Sequence, residues 1–233
     1  MTFRVHRRIL SKLSEVDNDK DKLEAALWAA TGEVCFLCED SINRAADDCE
    51  ADHDEAESVG GETSLANLHL AHATCNRMKR AANSRHIRPF IKFSRFLSKL
   101  DSRIKYDGAV PFFDIKPLPT DVTIEGAVAR LSFPDGSERT APVMHEKNEA
   151  AEFRFIYVDV LREAIYNDED CQPRVIKREQ AGAIYGDIRR NPLHEPPSVR
   201  LGPSENGMHR LLMFDGQHKT IASWLYERDR VVV

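Results

Sequence analysis

Four cysteine and histidine side chains have the spacing of ligands to one zinc ion. Cys35 and Cys38 are separated by two residues, as are His72 and Cys75, and 33 residues lie between the two pairs. Zinc takes four nitrogen or sulfur ligands in a tetrahedron, and two ligands at this spacing can reach the same ion. The odd number of cysteines, five, favours metal binding over a disulfide framework. The spacing predicts a structural zinc site, with Cys49 as an alternative to His72.

A second group of polar residues lies between and just after these pairs. Asp52 and His53 are followed by a Gly-Gly pair, by Asn67, and by Asn76 with Lys79. An imidazole is a suitable base at neutral pH, whereas a carboxylate and an amide oxygen suit Mg²⁺ or Mn²⁺. Phosphodiester hydrolysis requires a base that deprotonates water and a cation that takes up negative charge. These residue types are therefore the ones that a metal-dependent phosphodiesterase needs.

The order and spacing of these residues resemble a known family. The string C-x-x-C, D-H, G-G, N-L, H-x-x-C-N-x-x-K, over about residues 33–82, is similar to the HNH (ββα-metal) endonucleases in their zinc-stapled form. The resemblance implies that His53 is the general base and that Asp52 and Asn76 hold the catalytic Mg²⁺ or Mn²⁺. It also implies that Asn67 braces the loop that carries His53, because an amide can bond backbone groups on both sides.

Charge is segregated along the chain, although the formal net charge is only −5. Between residues 39 and 62, ten acidic residues stand against one arginine, a local balance of −9. Between residues 77 and 105, ten basic residues stand against one aspartate, a local balance of +9. Opposed blocks of this size indicate a cation-binding region beside an anion-binding one.

The basic block includes a predicted helix over residues 89–106. Its basic residues recur in steps of three and four, so they form one ridge opposite an apolar stripe. Binding of the DNA phosphate backbone and an ordinary solvated helix face are equally good interpretations of such a ridge. The candidate DNA contacts are Lys79, Arg80, Arg88, Lys92, Arg95, Lys99 and Arg103.

The elements that must position the site are short. Residues 1–31 are predicted to be helical, with Asp17 or Asn18 as the N-cap and Gly32 at the end. A second helix is predicted over residues 72–82. The region between the two zinc pairs is therefore predicted to be rich in loops, with one helix before it and one helix after it.

The second half of the chain has a different pattern. Residues 107–152 contain prolines and Asp-Gly pairs, and they are predicted to be a linker with a β-hairpin at Asp135-Gly136. Strand and helix patterns then alternate, which is typical of α/β or α+β folds. The predicted elements are strands over residues 153–160 and 211–214, a helix over 177–190, and a last helix after Asp215-Gly216. The predicted parts of the chain are residues 1–106, 107–152 and 153–233.

The last part carries a second, weaker resemblance. Residues 172–174, Gln-Pro-Arg, and residues 214–219, Phe-Asp-Gly-Gln-His-Lys, resemble the ParB-like and DGQHR-motif proteins of the ParB/sulfiredoxin-like superfamily. Lys219 stands where that family usually has arginine. The resemblance implies a phosphate- or nucleotide-binding fold, and a plain turn at Asp215-Gly216 is the alternative. The ligand-binding residues that it implies are Asp215, Gly216, Gln217, His218 and Lys219.

The composition, with 42% hydrophobic and 30% charged residues, excludes a disordered tail and a disulfide-dense secreted scaffold. No apolar run is long enough to span a membrane, and the basic start lacks the apolar stretch of a signal peptide. We therefore expect a cytoplasmic protein without a membrane partner.

Together, these observations predict an α+β protein in which a zinc-stapled ββα-metal module with flanking helices precedes a small ParB-like α/β module. The resemblances imply a DNA endonuclease joined to a nucleotide- or DNA-sensing module, in restriction or phage defence. Zinc, Mg²⁺ or Mn²⁺, and a nucleotide are the expected cofactors, and a homo-oligomer is left open. The alternatives are a non-catalytic zinc-knuckle protein that binds DNA and a ParB-like nucleotide triphosphatase that gates a nuclease.

Overall fold

The computed structural model describes residues 2–100, 104–147, 149–171, 174–193 and 195–233. The chain forms two compact units, Met1–Phe96 and Leu97–Val233. Both units mix helices with β-sheet, which confirms the predicted α+β class. In the described ranges, every helix is too short or too polar to cross a bilayer.

The first unit contains a three-stranded sheet and four helices. Its strands are β1 (Phe3–Arg4), β2 (Cys49–His53) and β3 (Leu68–His72). Its helices are α1 (Arg7–Leu10), α2 (Lys20–Thr31), α3 (Ala73–Lys79) and α4 (Ser84–Lys99), of which α4 runs three residues into the second unit.

The predicted helical segment over residues 1–31 is interrupted in its first half, where the short α1 lies between an edge strand and a turn. Phe3 pairs in parallel with Cys49, so the chain begins as an edge strand. Asp17 and Asn18 adopt left-handed backbone conformations, with φ of 56° and 57°, and therefore form a turn. The N-cap of α2 is Asp19, whose carboxylate accepts hydrogen bonds from two backbone amides of the first turn.

Strands β2 and β3 form an antiparallel pair, and α3 follows β3 without a loop. The register runs from Cys49 opposite His72 to His53 opposite Leu68. Because side chains alternate along a strand, Glu50 and Asp52 share one face of β2. The other side of the unit is an apolar core in which β3 packs with α2 and with the segment that carries the first zinc pair. This β–β–α arrangement positions all the predicted catalytic residues.

Helix α4 differs in its bounds from the predicted helix over residues 89–106. It begins at Ser84, whose hydroxyl donates a hydrogen bond of 2.8 Å to the carbonyl of Asp54. Pro89 therefore lies inside the helix and not in its first turn. The helix ends at Lys99, and Arg103 lies outside the described residues.

The second unit contains ten strands and three helices in the described part of the chain. Its helices are α5 (Tyr106–Ala109), α6 (Arg178–Ile188) and α7 (Gln217–Leu225). Its strands are β4 (Thr120–Glu125), β5 (Val128–Ser132), β6 (Glu138–Pro142), β7 (Met144–Lys147), β8 (Glu152–Phe155), β9 (Asp159–Leu161), β10 (Ile165–Asn167), β11 (Ser198–Glu205), β12 (Met208–Asp215) and β13 (Arg230–Val232).

A six-stranded sheet organises the second unit, with the order β10-β12-β4-β5-β6 and with β11 also paired to β12. The predicted hairpin at Asp135-Gly136 is confirmed as β5–β6, and Gly136 has a φ of 80°. Residues 107–152 therefore contribute three strands to this sheet and are not a separate linker. The predicted strand over residues 153–160 is divided between β8, which pairs with β7, and β9, which pairs with β13.

The two long helices agree with the sequence, since α6 lies within the predicted range 177–190 and α7 begins directly after Asp215-Gly216. Gly216 joins β12 to α7 in a left-handed conformation with a φ of 96°. A Cβ atom at this position would lie 2.6 Å from the Cα of Pro197. Only glycine therefore fits this junction without a backbone shift.

Replacing Gly216 with alanine is expected to lower the free energy of unfolding of the second unit by about 1–3 kcal/mol, because of backbone strain and the collision with Pro197. The matched control is Gly186→Ala in α6, where a Cβ would meet no atom within 4 Å. This control should gain about 0.5–1 kcal/mol, since alanine favours a helix over glycine. Urea unfolding of the full chain followed by circular dichroism measures both, and equal stability of Gly216→Ala and the parent would contradict the described junction.

Candidate functional site

The four predicted zinc ligands come together in the first unit. One ligand atom from each of Cys35, Cys38, His72 and Cys75 lies within 4.8 Å of the others, and all four residues are buried. The imidazole contributes Nδ1, which is 3.4 Å from the Cys38 Sγ and 3.9 Å from the Cys75 Sγ. The alternative ligand Cys49 is not in the cluster, and burial raises the pKa of its thiol to about 11. The geometry and the donor set fit a tetrahedral zinc ion.

Hydrogen bonds prepare this cluster for a cation. The Cys35 Sγ accepts a hydrogen bond of 3.3 Å from the backbone amide of His72. The neighbouring side chains of Cys38, Cys75 and His72 hold the pKa of the Cys35 thiol far below its usual value. A thiolate is the form that binds a metal.

A carboxylate lies on the far side of the His72 ring. The Asp47 Oδ2 is 3.6 Å from the His72 Nε2, and it also accepts a 2.7 Å hydrogen bond from the backbone amide of Asn43. At 3.6 Å this carboxylate is an electrostatic neighbour of the imidazole and not a hydrogen-bond partner, since the buried His72 Nε2 makes no hydrogen bond within the described residues. One member of the acidic block therefore lies beside the zinc site.

Asp52 is almost fully buried on β2, on the face covered by α3. Its Oδ1 is 3.2 Å from the ammonium group of Lys79, and its Oδ2 is buried without a hydrogen-bond partner among the described residues. Burial raises the pKa of Asp52 to about 6, although Lys79 acts in the opposite direction. The Lys79 side chain has 0% exposure. The prediction that Lys79 contacts DNA is therefore wrong for this structure, because its ammonium group is turned inward to Asp52.

Asn76 is held on the same face by a residue that the sequence analysis did not single out. Its Nδ2 donates a hydrogen bond of 2.7 Å to the Oε2 of Glu50. Glu50 precedes Asp52 by two positions, and this spacing on a strand was the available signal that the two side chains share a face. The two bonds, Asn76 to Glu50 and Lys79 to Asp52, align α3 with β2.

His53 ends β2 and is 7% exposed. Its Nε2 lies 3.0 Å from the hydroxyl of Thr63, a second residue that the sequence analysis missed. Burial, together with the nearby cations Lys79 and Lys12, lowers the pKa of His53 below its usual value. The imidazole is therefore neutral at pH 7, which is the form that can accept a proton.

Asn67 connects both ends of the loop that follows His53. Its Oδ1 accepts a 2.9 Å bond from the amide of Glu55, and its Nδ2 donates to the carbonyls of Glu55 at 3.0 Å and Glu62 at 2.7 Å. Gly61 lies against the same loop, and a Cβ there would be 1.9 Å from the Glu55 carbonyl oxygen. The Gly-Gly and Asn-Leu elements of the motif thus determine the shape of one loop.

Three residues of the predicted DNA-binding ridge contact the turn of the first zinc pair. Each of these three side chains has an acidic or aromatic partner within the first unit, so its cationic group already makes a contact within the protein. The contacts are Arg88 with its guanidinium carbon 4.5 Å from the Phe36 ring centroid, Lys92 Nζ 2.7 Å from Glu39 Oε2, and Arg95 Nε 3.4 Å from Asp40 Oδ2. Exposed arginines lie on α3, directly after it and at the start of α4: Arg77, Arg80 and Arg85.

In the second unit, Gln217 and His218 bind the chain segment that leads into α6. The Gln217 Nε2 donates to the carbonyl of Val175 at 3.4 Å, and the His218 Nε2 accepts from the amide of Lys177 at 2.8 Å. Burial and nearby cations lower the pKa of His218, consistent with a neutral acceptor. Lys219 is 3.3 Å from Glu195. Gln172 and Pro173 of the second motif lie outside the described residues.

Residues 35–82 match a family model described as HNH endonuclease. The match includes the four zinc ligands and all four candidate catalytic residues. No curated protein and no solved structure matched the chain. The comparisons thus support a nuclease-type domain in the first unit, and they give no support to the ParB-like resemblance of the second.

Replacing Cys75 with alanine is expected to reduce bound zinc from about one equivalent per chain to well below half, since three ligands hold a structural zinc poorly. The matched control Cys49→Ala removes another buried thiol of the same unit, outside the cluster, and should retain about one equivalent. Elemental analysis of the purified full chains gives the result. Loss of zinc from Cys49→Ala, or full zinc in Cys75→Ala, would contradict the ligand assignment.

Proposed function

We propose that the first unit is a divalent-metal-dependent endonuclease that hydrolyses phosphodiester bonds in DNA. The observation that carries this proposal is that Asp52 on β2 faces the side of α3 that carries Asn76. A neutral His53 lies at the end of the same strand. A metal ligand pair and a base are the two requirements of the reaction. The family match over residues 35–82 supports the same chemistry.

Asp52 and Asn76 would hold the catalytic cation. In the part of the chain that the structure describes, the Asp52 Oδ2 is a buried carboxylate oxygen without a hydrogen-bond partner, and such an atom requires compensation. Carboxylate and amide oxygens are the ligands that Mg²⁺ and Mn²⁺ prefer. When bound, the cation supplies positive charge for the phosphate oxygens in the transition state.

His53 is the general base in this proposal. When its Nε2–H donates to the Thr63 hydroxyl, 3.0 Å away, the Nδ1 carries the lone pair that accepts a proton from the attacking water. Thr63 is therefore a positioning residue that holds the imidazole ring in place. Asn67 acts one step further away, because it fixes the loop that contains Thr63.

Lys79 and Glu50 complete the site as positioning residues. The Lys79 ammonium group favours the ionised form of Asp52, which is the form that binds a cation. Glu50 accepts a hydrogen bond from the amide nitrogen of Asn76, so that the amide oxygen remains for the ligand role. Both residues act through another side chain and need not touch the substrate.

We assign the contacts to the DNA backbone chiefly to Arg77 and Arg80. Both are exposed and lie on, or directly after, the helix that carries Asn76. Lys99 is exposed at the end of α4, whereas Arg88, Lys92 and Arg95 already contact the first unit. Arginine binds phosphate through a planar set of donors and contributes affinity that falls with salt.

A second candidate function is the binding of a phosphate group by the second unit. A cavity of about 70 Å³ is lined by Arg174 and by residues 215–219, where the N-termini of α6 and α7 lie side by side. Helix N-termini attract anions, and arginine adds positive charge. The volume fits one phosphate group, whereas pockets for larger ligands measure about 300–1,000 Å³. A gating triphosphatase and a role in restriction or phage defence stay predictions from the resemblance alone.

The substitution His53→Ala is expected to reduce nicking of supercoiled plasmid DNA by about 10²–10⁴-fold, because the proton acceptor is lost. Nicking should depend on added Mg²⁺ or Mn²⁺ and should be measured on samples with equal zinc content. The control His86→Ala removes an exposed imidazole of the same unit and should cut like the parent. If His53→Ala cuts as well as the parent, the first unit is not this nuclease, and the non-catalytic DNA-binding alternative takes its place.

Replacing both Arg77 and Arg80 with glutamine, in the His53→Ala background, should lower the slope of log affinity against log salt by about 2, since each lost phosphate contact removes about 0.9. Fluorescence anisotropy with a labelled duplex measures this slope. The matched control Lys92→Gln removes a charge that already pairs with Glu39 and should change the slope by less than about 0.5. The opposite ranking of the two variants would place the contacts on the α4 ridge.

A further inference from the structure

The second unit contains a cavity that is separate in its lining residues from the one at residues 215–219. It has a volume of about 560 Å³, and its walls come from the end of β10, from β11 and β12, and from the start of α5. A cavity of this size accommodates a small organic ligand or a long side chain. Neither the nuclease residues nor the phosphate-sized cavity explains it.

The polar groups in this cavity are mostly acceptors. Four carboxylates line it, against two guanidinium groups. Both guanidinium groups already have acidic partners in the described structure: Arg200 forms an ion pair with the buried Asp168, and an Arg210 nitrogen is 3.4 Å from a Glu205 oxygen. Among the residues that the structure describes, Glu169 and Asp170 form no such ion pair. A phosphate-bearing ligand would therefore meet surplus negative charge without a cation to receive it.

Asn167 provides an independent observation that a hydrogen-bond donor belongs here. Its side chain lines the cavity and is only 8% exposed. Its Nδ2 donates a 2.9 Å bond to the Oδ2 of Asp107, while its Oδ1 is buried without a partner within the described residues. An unpaired buried carbonyl oxygen is costly, so a ligand that donates to it gains affinity.

The half-buried ring of Tyr166 also lines the cavity, with the guanidinium group of Arg210 5.6 Å from its centroid. The face of an aromatic ring attracts cationic groups. The cavity thus combines surplus carboxylates, one unpaired amide oxygen and an aromatic wall.

We propose that this cavity binds a guanidinium or primary ammonium group, which Asn167 receives through its Oδ1 and the carboxylates of Asp107, Glu169 and Asp170 neutralise. Such a group belongs either to a free organic cation or to the arginine or lysine side chain of a peptide. The cavity would then be a recognition site for a cationic ligand on the second unit. It does not depend on the nuclease function of the first unit.

The test is isothermal titration calorimetry of the full chain with two cationic probes and a neutral one. The cationic probes are agmatine and the blocked peptide acetyl-Ala-Arg-Ala-amide. The neutral probe is the same peptide with citrulline in place of arginine, which keeps the shape and removes the charge. At least one of the two cationic probes should bind about tenfold more tightly, or better, than the citrulline peptide. Tighter binding of agmatine indicates a free cation as the source, and tighter binding of the arginine peptide indicates a protein segment.

Two variants and one control test whether the probes bind in this cavity. Asn167→Leu should lower the affinity for the more tightly bound probe by about tenfold or more, because the amide acceptor is lost. Asp107→Asn is the milder second variant: it keeps an acceptor for the Asn167 Nδ2, removes one charge, and should weaken binding by about two- to fivefold. Glu125→Gln makes the same charge change on β4, outside the cavity, and should bind like the parent.

Three outcomes would overturn the proposal. One is that neither cationic probe binds at concentrations up to about 10 mM. Another is that the citrulline peptide binds as tightly as the arginine peptide, so that charge is irrelevant. The third is that Asp107→Asn binds the cationic probes as tightly as the parent does.

Discussion

The organisation of the first unit depends on the closure of two chain segments around four buried ligands. His72 is the last residue of β3 and Cys75 lies in the first turn of α3, so the cluster fixes the angle at which the helix leaves the strand. That angle places Asn76 and Lys79 over Glu50 and the neighbouring carboxylate of β2. A structural zinc ion couples metal binding to folding, and here the placement of the α3 side chains over β2 is a consequence of the same closure.

The acidic block has a structural explanation that its net charge does not reveal. Asp47 lies beside the zinc ligand His72, and other acidic residues bind the start of the chain: Asp48 accepts from the Thr2 amide at 3.1 Å, and Glu57 forms ion pairs with Lys12 and Arg8. Acidic residues of the zinc turn likewise pair with α4. The two charge blocks therefore neutralise each other in part within one unit, and the excess carboxylates need not repel DNA.

Local pattern predicted the elements whose signal is contained within a few residues. The β5–β6 hairpin, α6 and α7 follow from Asp-Gly turns and helical periodicity, whereas the segment 153–160 reads as one strand although it pairs in two different sheets. The start of the chain was misjudged because its helical composition does not reveal that Phe3 pairs with Cys49. Strand pairing over 46 residues is a tertiary fact, and tertiary contacts override propensity.

The sequence by itself predicted the cluster of zinc ligands, and the family match over residues 35–82 supports a nuclease-type domain around it. The proposed base and the proposed metal-binding pair come from the same order and spacing. Only the tertiary structure decided which of the charged side chains are exposed and which are buried or already paired. Spacing placed Lys79 and Arg88 among DNA contacts, but one is buried against Asp52 and the other lies over Phe36. The cavity around Asn167 was equally invisible, because its walls come from segments far apart in the chain. Spacing fixes the identity of ligands, whereas burial and pairing depend on which distant segments pack together.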